Sequence, residues 1–298
     1  MSSPQPFEIV PIGATIADTH AHLDMLDDPG GALARAALAG VALVITVVDP
    51  TEDAERTFDE QDAWRATAAG LFRDTQESGE AAAGPQPVPR PPEVRVIIGA
   101  HPHNAKDFGV EARERLRGLS AHPLVVGIGE IGLDYHYDHS PRDVQRAVFA
   151  EQLETAADLH MPVAVHLREA HDDGEAIMRH VGLPAEGCVL HCFTGDAVLL
   201  GPFLDLGCYV SFAGPVTFKK ADAIREAAAL VPLERLLVET DSPFMTPEPY
   251  RGRPNEPALT VFTARRIAEA RGLGDVDLAR ATWDNSVRLF ARSDEPCA

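Results

Sequence analysis

The sequence predicts a single α/β domain folded as a (β/α)8 barrel. Three observations carry that expectation. Eight short apolar runs rich in β-branched residues recur along the 298 residues and alternate with helical stretches, the pattern of parallel strands covered on both faces. Their number and the chain length suit one large barrel. No glycine-rich phosphate loop follows the first run, as the alternative of a doubly wound open sheet would require.

In chain order, strands are expected at 15–20, 41–48, 94–100, 124–130, 162–167, 188–193, 208–212 and 235–241. Val41–Val48 is continuously β-forming, and the later strands are built on Val94-Arg95-Val96-Ile97-Ile98, Val163-Ala164-Val165 and Leu236-Leu237-Val238. Helices are expected between them at 31–39, 52–74, 110–119, 142–160, 173–181, 197–206 and 220–230, with a last helical region at 256–271 and 277–291. Residues 76–92 break the rhythm. Gly79, Gly84, Pro85, Pro87, Pro89, Pro91 and Pro92 predict an exposed, flexible excursion between the second and third strands. A partner-binding polyproline segment is the competing reading.

With 45% apolar residues the chain reads as globular. It has no apolar run that would span a bilayer, and residues 1–11 lack a basic-then-apolar leader pattern, so no membrane association is expected and the cytoplasm is the expected compartment. Cys188, Cys192, Cys208 and Cys297 form no C-x-x-C pair and are expected to be reduced. The formal charge of −20 argues against a surface that coats nucleic acid, but leaves room for a local phosphate site dominated by metal.

The chemistry begins at Asp18-Thr19-His20-Ala21-His22. Side chains two apart on a strand share a face, so His20 and His22 can hold one ion at the strand's carboxyl end. Glu130, His166, His191 and Asp241 close the fourth, fifth, sixth and eighth expected strands. Each has an ordinary reading: a salt bridge for Glu130, packed histidines for His166 and His191, and an Asp-Ser-Pro turn for Asp241. In a barrel, however, all these strand ends meet at one mouth. Four imidazoles and two carboxylates suit two borderline divalent ions, zinc or manganese, with magnesium held more weakly.

The motifs Asp18-Thr19-His20-Ala21-His22-Leu23, Gly99-Ala100-His101-Pro102-His103, Gly129-Glu130-Ile131-Gly132-Leu133-Asp134-Tyr135, His191-Cys192-Phe193-Thr194-Gly195 and Glu239-Thr240-Asp241-Ser242-Pro243 extend the pattern. Through them, and through Gly214-Pro215-Val216-Thr217-Phe218-Lys219-Lys220, nearly the whole chain resembles the TatD-related metal-dependent hydrolases and nucleases of the amidohydrolase-like superfamily. The resemblance implies a TIM-type barrel with two metal ions. His20, His22 and Asp241 would hold one, His166 and His191 the other, and Glu130 would bridge them.

It also implies phosphodiester hydrolysis in DNA, commonly as a 3′-to-5′ exonuclease; the alternative is an ester or amide hydrolase on the same metal pair, such as a deacylase of D-aminoacyl-tRNA. Three features depart from the family pattern: Arg253 where lysine is usual, Ala213 where a small hydroxyl residue is usual, and the proline-rich excursion.

Asp241 and Glu130 are the expected catalytic residues, Asp241 orienting water and accepting its proton. His103, Arg168, Lys219, Arg251 and Arg253 are the candidates for gripping phosphate or sugar, although Lys219 and Lys220 read equally well as a solvated helix start. DNA is the expected partner, as substrate, and no obligate protein partner is expected. His101 and His103 flank Pro102 in a loop, where a functional and an ordinary reading stand about even. His122, His160, His171 and His180 are expected to be exposed, while His136 and His139 could line the mouth. Trp64 and Trp283 read as helix packing, and they give no interleaved aromatic and basic pattern for stacking bases.

Overall fold

The computed structural model describes residues 7–77 and 89–291. Eight strands, β1 (Ile16–Ala21), β2 (Val41–Val48), β3 (Glu93–Ile98), β4 (Val125–Asp134), β5 (Val163–Arg168), β6 (Cys188–Leu190), β7 (Tyr209–Phe212) and β8 (Leu236–Val238), pair in sequence order, each parallel to the next. The ring closes where Ala21 bridges Ser242, with the Asp241 N–H donating to His20 O at 2.9 Å and the His22 N–H to Ser242 O at 2.8 Å. Deeper in this seam the buried Asp18 carboxyl accepts the Thr240 N–H (2.8 Å) and hydroxyl (2.6 Å).

Helices α1 (Pro29–Ala39), α2 (Glu55–Glu77), α3 (Val110–Ser120), α4 (Arg142–Asp158), α5 (His171–Val181), α6 (Ala197–Asp205) and α7 (Asp222–Leu230) link successive strands. Two more, α8 (Thr260–Arg271) and α9 (Asp275–Phe290), follow β8. Capping sets local boundaries: Asp28 accepts the Gly31 N–H at 2.9 Å to start α1, and Gly40 ends it at φ +94°, a left-handed position that glycine adopts without a Cβ penalty.

Strand alternation divides the core into two layers. On β2, Val44 and Val48 pack outward beneath the helices. Leu43, Ile45 and Val47 point inward and meet Ile97, Val126, Ala164, Val189 and Leu237. Leu289 and Phe290 of α9 join this inner layer, with Trp283 packed against it. Asn285 ties α9 to the amino end of β8 by donating to Leu233 O (2.8 Å) and Leu236 O (2.9 Å). The floor of the barrel is thereby plugged, and the opposite end, where the strands carrying His20, Glu130 and His166 finish, is left for chemistry.

Several boundaries differ from expectation. β4 continues past Glu130 to Asp134, whereas β6 stops at Leu190 and β8 at Val238. His191 and Asp241 therefore lie just beyond their strands. There Cys192 (φ +44°) and Asp241 (φ +56°) leave the extended conformation, as residues at functional strand exits often do. Helix α5 starts earlier, at His171, and a short 3-10 turn, Pro257–Leu259, precedes α8. Of the proline-rich excursion, residues 78–88 lie outside the described residues. His122 and His171 are half-buried rather than exposed, because their rings pack against Phe58 (4.7 Å) and Phe193 (6.0 Å) respectively. Among the described residues no helix is long and apolar enough to cross a membrane.

The plug yields a stability prediction. Phe290→Ala should cost about 3–5 kcal/mol, as expected for an aromatic removed from a layer that cannot collapse. Equilibrium unfolding in denaturant measures it, and a cost near zero would mean that α9 does not close the floor.

Candidate metal centre

On either side of Glu130, the backbone of β4 lies against β5 at glycines. A Cβ on Gly132 would fall 2.0 Å from His166 O, and one on Gly129 would fall 2.8 Å from Ala164 Cβ, so only glycine permits this approach. The approach puts Glu130 Oε1 2.6 Å from His166 Nδ1, 2.7 Å from His191 Nε2 and 3.4 Å from His101 Nε2. The other oxygen, Oε2, is 3.2 Å from His20 Nε2 and 3.9 Å from His22 Nε2. His22 Nε2 is also 3.5 Å from Asp241 Oδ1. One buried carboxylate thus stands among five imidazoles, with a second carboxylate beside them.

Three overlapping groups place one donor atom per residue within 4.8 Å of one another: His20, His22 and Asp241; His101, Glu130 and His166; and His20, Glu130 and His191. The donor set fits divalent cations on three counts. It mixes neutral nitrogen with anionic oxygen, the chemistry borderline metals prefer. His166 Nδ1 and His191 Nε2 converge to 3.1 Å, a contact that a shared cation relieves. His20 Nδ1 is buried without a hydrogen-bond partner among the described residues.

Electrostatics within the cluster are mutual. Burial alone would raise the Glu130 carboxyl, but His191, His101 and His20 hold it well below the ordinary range. Burial opposes ionisation of Asp241 too, and the contact with His22 together with the nearby imidazoles holds it below the usual value. Burial pushes His20 and His101 down. His191 goes the other way: burial would lower it, but Glu130 and Glu239 lift it well above the ordinary value.

A further layer of acids holds the imidazoles in place. Glu239 Oε1 accepts the Cys192 N–H at 2.5 Å and lies 3.4 Å from His191 Nδ1. Asp134 Oδ2 is 2.9 Å from His103 Nε2 and 3.3 Å from His166 Nε2, while its Oδ1 accepts the N–H groups of His136 and Tyr137. Such partners orient ligand rings and raise their basicity.

The cluster opens into a cavity of about 520 Å³. All six sequence-predicted ligands converge here: His20, His22, Glu130, His166, His191 and Asp241. His101 joins them, and its signal was the Gly-Ala-His-Pro-His stretch at the end of β3. His103 and Arg168 line the cavity. Lys219, Arg251 and Arg253 are not among its lining residues. Lys219 is exposed beyond the turn Gly214–Thr217, Arg251 lies over the Phe218 ring at 4.2 Å, and Arg253 lies over the Phe7 ring at 3.9 Å. His136 and His139 flank the wall residue Tyr137 without lining the cavity themselves.

Comparison with known proteins agrees with this geometry. The family model described as TatD related DNase matches residues 17–291. The chain is 38% identical over 282 residues to the uncharacterized metal-dependent hydrolase YcfH of Escherichia coli K12, covering 92% of this chain and 95% of the relative. It is also 38% identical over 197 residues to the 3'-5' ssDNA/RNA exonuclease TatD of Citrobacter rodentium, covering 64% of this chain and 75% of that protein. The crystal structure of YjjV, a TatD homologue from Escherichia coli K12, aligns with a TM-score of 0.74 at 28% identity, over 93% of this chain and 98% of that one.

Two substitutions test the centre apart from catalysis. Glu239→Gln keeps the volume but removes the charge behind His191, so metal affinity measured by calorimetry should fall about 10–100-fold with the fold retained. Glu130→Gln should lower the bound-metal stoichiometry measured by elemental analysis. An unchanged stoichiometry in Glu130→Gln would remove Glu130 from the ligand set.

Proposed function

This chain belongs to the family of TatD-related DNases and is a metal-dependent hydrolase, and on that premise we propose that it removes nucleotides from the 3′ end of DNA using two divalent ions. The observation that carries the reading is the convergence of five imidazoles and two carboxylates on the mouth of the barrel. His20, His22 and Asp241 would hold one ion, and His166, His191 and His101 the other, with Glu130 between them. The nitrogen-rich set favours zinc or manganese over magnesium.

Bound there, divalent ions supply water that is deprotonated near neutral pH and positive charge for the phosphoryl oxygens. The protein's own groups do the rest. Asp241, held ionised below the usual carboxylate range, is the proton acceptor, and its left-handed backbone turns it toward His22. Glu130 keeps the two halves of the cluster in register. His103, fixed by Asp134, and Arg168 stand in the wall where phosphate or sugar would sit. The −20 charge and the single Arg or Lys among the described lining residues support a short footprint on the strand rather than an extended groove.

A second reading, hydrolysis of a carboxylic ester such as a D-aminoacyl ester on tRNA, draws on a different feature. Asp24, Asp49 and Glu52 line part of the same cavity and would suit an α-ammonium group.

The test uses metal-stripped protein reloaded with manganese, zinc or magnesium, assayed on 5′-labelled single-stranded DNA and on an aminoacyl ester. Stepwise 3′ loss that needs metal is expected. Asp241→Asn should slow it by about 10²–10⁴-fold, the range of a lost general base. Ester turnover with intact DNA would transfer the centre to the second reading.

A further inference from the structure

Three of the large apolar side chains left exposed among the described residues, Met25 (53%), Tyr137 (49%) and Phe244 (46%), line the cavity above the metal ligands. Their places in the ring divide them. Met25 ends the 3-10 turn that follows β1, and Phe244 lies beyond β8. Tyr137 follows β4, and Arg168 is the last residue of β5. In a closed ring of eight strands in sequence order, the β8–β1 seam lies across from the β4–β5 pair. Met25 and Phe244 therefore face Tyr137 and Arg168 over the mouth, with Glu130 and its imidazoles beneath.

The two walls differ in chemistry. The Arg168 guanidinium lies 4.7 Å from the centroid of the Tyr137 ring, a contact that orients it. It has no ion pair or hydrogen bond among the described residues, and it is the only Arg or Lys in the described lining. In a chain where acids outnumber bases 46 to 26, an unpaired arginine on a cavity wall is an anion receptor in waiting. Across from it, the Phe244 ring stands edge-on to His22 at 5.8 Å and leaves much of its surface to solvent. Exposed aromatic surface at a concave site is what an unstacked base uses, whatever its identity. The volume of about 520 Å³ is that of a small-ligand cleft.

We propose that Phe244 and Met25 form a platform for the terminal nucleobase of a single strand, while Arg168, oriented by Tyr137, takes a phosphate on the opposite wall. This rests on the nuclease reading and deepens it. The linkage between base and phosphate then spans the donor cluster, and the site favours a frayed or single-stranded end because a paired base must first be unpaired and unstacked to reach the platform. Recognition is by stacking, so it depends on the presence of a base and not on sequence.

The experiment compares two single-stranded oligonucleotides of equal length, one with a normal 3′-terminal nucleotide and one with an abasic 3′-terminal residue, on the manganese-loaded protein. Wild type should show a KM lower by about tenfold for the normal end, the value of one stacked base. Phe244→Ala should bring the ratio of the two KM values toward one, and Phe244→Trp should preserve it. Arg168→Ala should raise KM for both ends alike, with partial rescue by Arg168→Lys. Metal stoichiometry and thermal midpoints of the variants separate these effects from misfolding. Equal KM values for the two ends in wild type, or a Phe244→Ala variant that keeps the wild-type ratio, would overturn the platform. Failure of metal-loaded wild type to hydrolyse either strand would overturn the nuclease reading itself.

Discussion

The structure is organised around the placement of a carboxylate, Glu130, in a buried site lined by imidazoles instead of arginine or lysine. A buried charge is tolerated only when it is paired, and the pairing here comes from four separate strands of the ring. His20 comes from β1, His22 from just beyond it, His101 from beyond β3, His166 from β5 and His191 from beyond β6. None of these contacts is local in sequence. The barrel must close before any of them exists, so the seam in which Asp18 engages Thr240 is also a condition for the site. The same reasoning explains the two glycines that let β4 approach β5: the fold gives up side-chain packing at Gly129 and Gly132 so that Glu130 can meet His166.

The division of labour across the molecule follows from this. The inner apolar layer and α9 fill the lower barrel. The upper barrel carries almost all the chemistry, and beside the donor carboxylates Glu130 and Asp241 its acids fall into two sets. Glu239 and Asp134 stand behind the imidazoles and hold them in position. Asp24, Asp49 and Glu52 face the cavity and shape its field. A cavity whose permanent charges are nearly all negative binds a phosphodiester only if cations are supplied, and bound metal together with Arg168 would supply them.

Much of this was legible in the sequence, for physical reasons. Parallel strands buried on both faces are continuous apolar runs, so the eight strands could be read directly, and a polar residue at the end of such a run stands out. That is why His20, His22, Glu130, His166, His191 and Asp241 could be named. His101 was harder because it follows its strand by a short loop and shares a dipeptide spacing with His103. Glu239 and Asp134 look like any acid near a strand end until the imidazoles they hold are in view.

The basic residues were least legible. Lys219, Arg251 and Arg253 were expected at the mouth because of their charge, but loop paths decide where such side chains go, and two of them lie over aromatic rings instead. The apolar mouth residues were missed for the opposite reason, since exposure of a lone Phe244 or Met25 is a tertiary property with no sequence period.

The central claim is that Glu130 is the shared anion of a two-ion centre. Anomalous diffraction from crystals of the manganese-loaded protein tests it most directly. Two peaks flanking the Glu130 carboxylate, one toward His22 and Asp241 and the other toward His101 and His166, are predicted. A single peak, or peaks that leave Glu130 uncoordinated, would contradict the account.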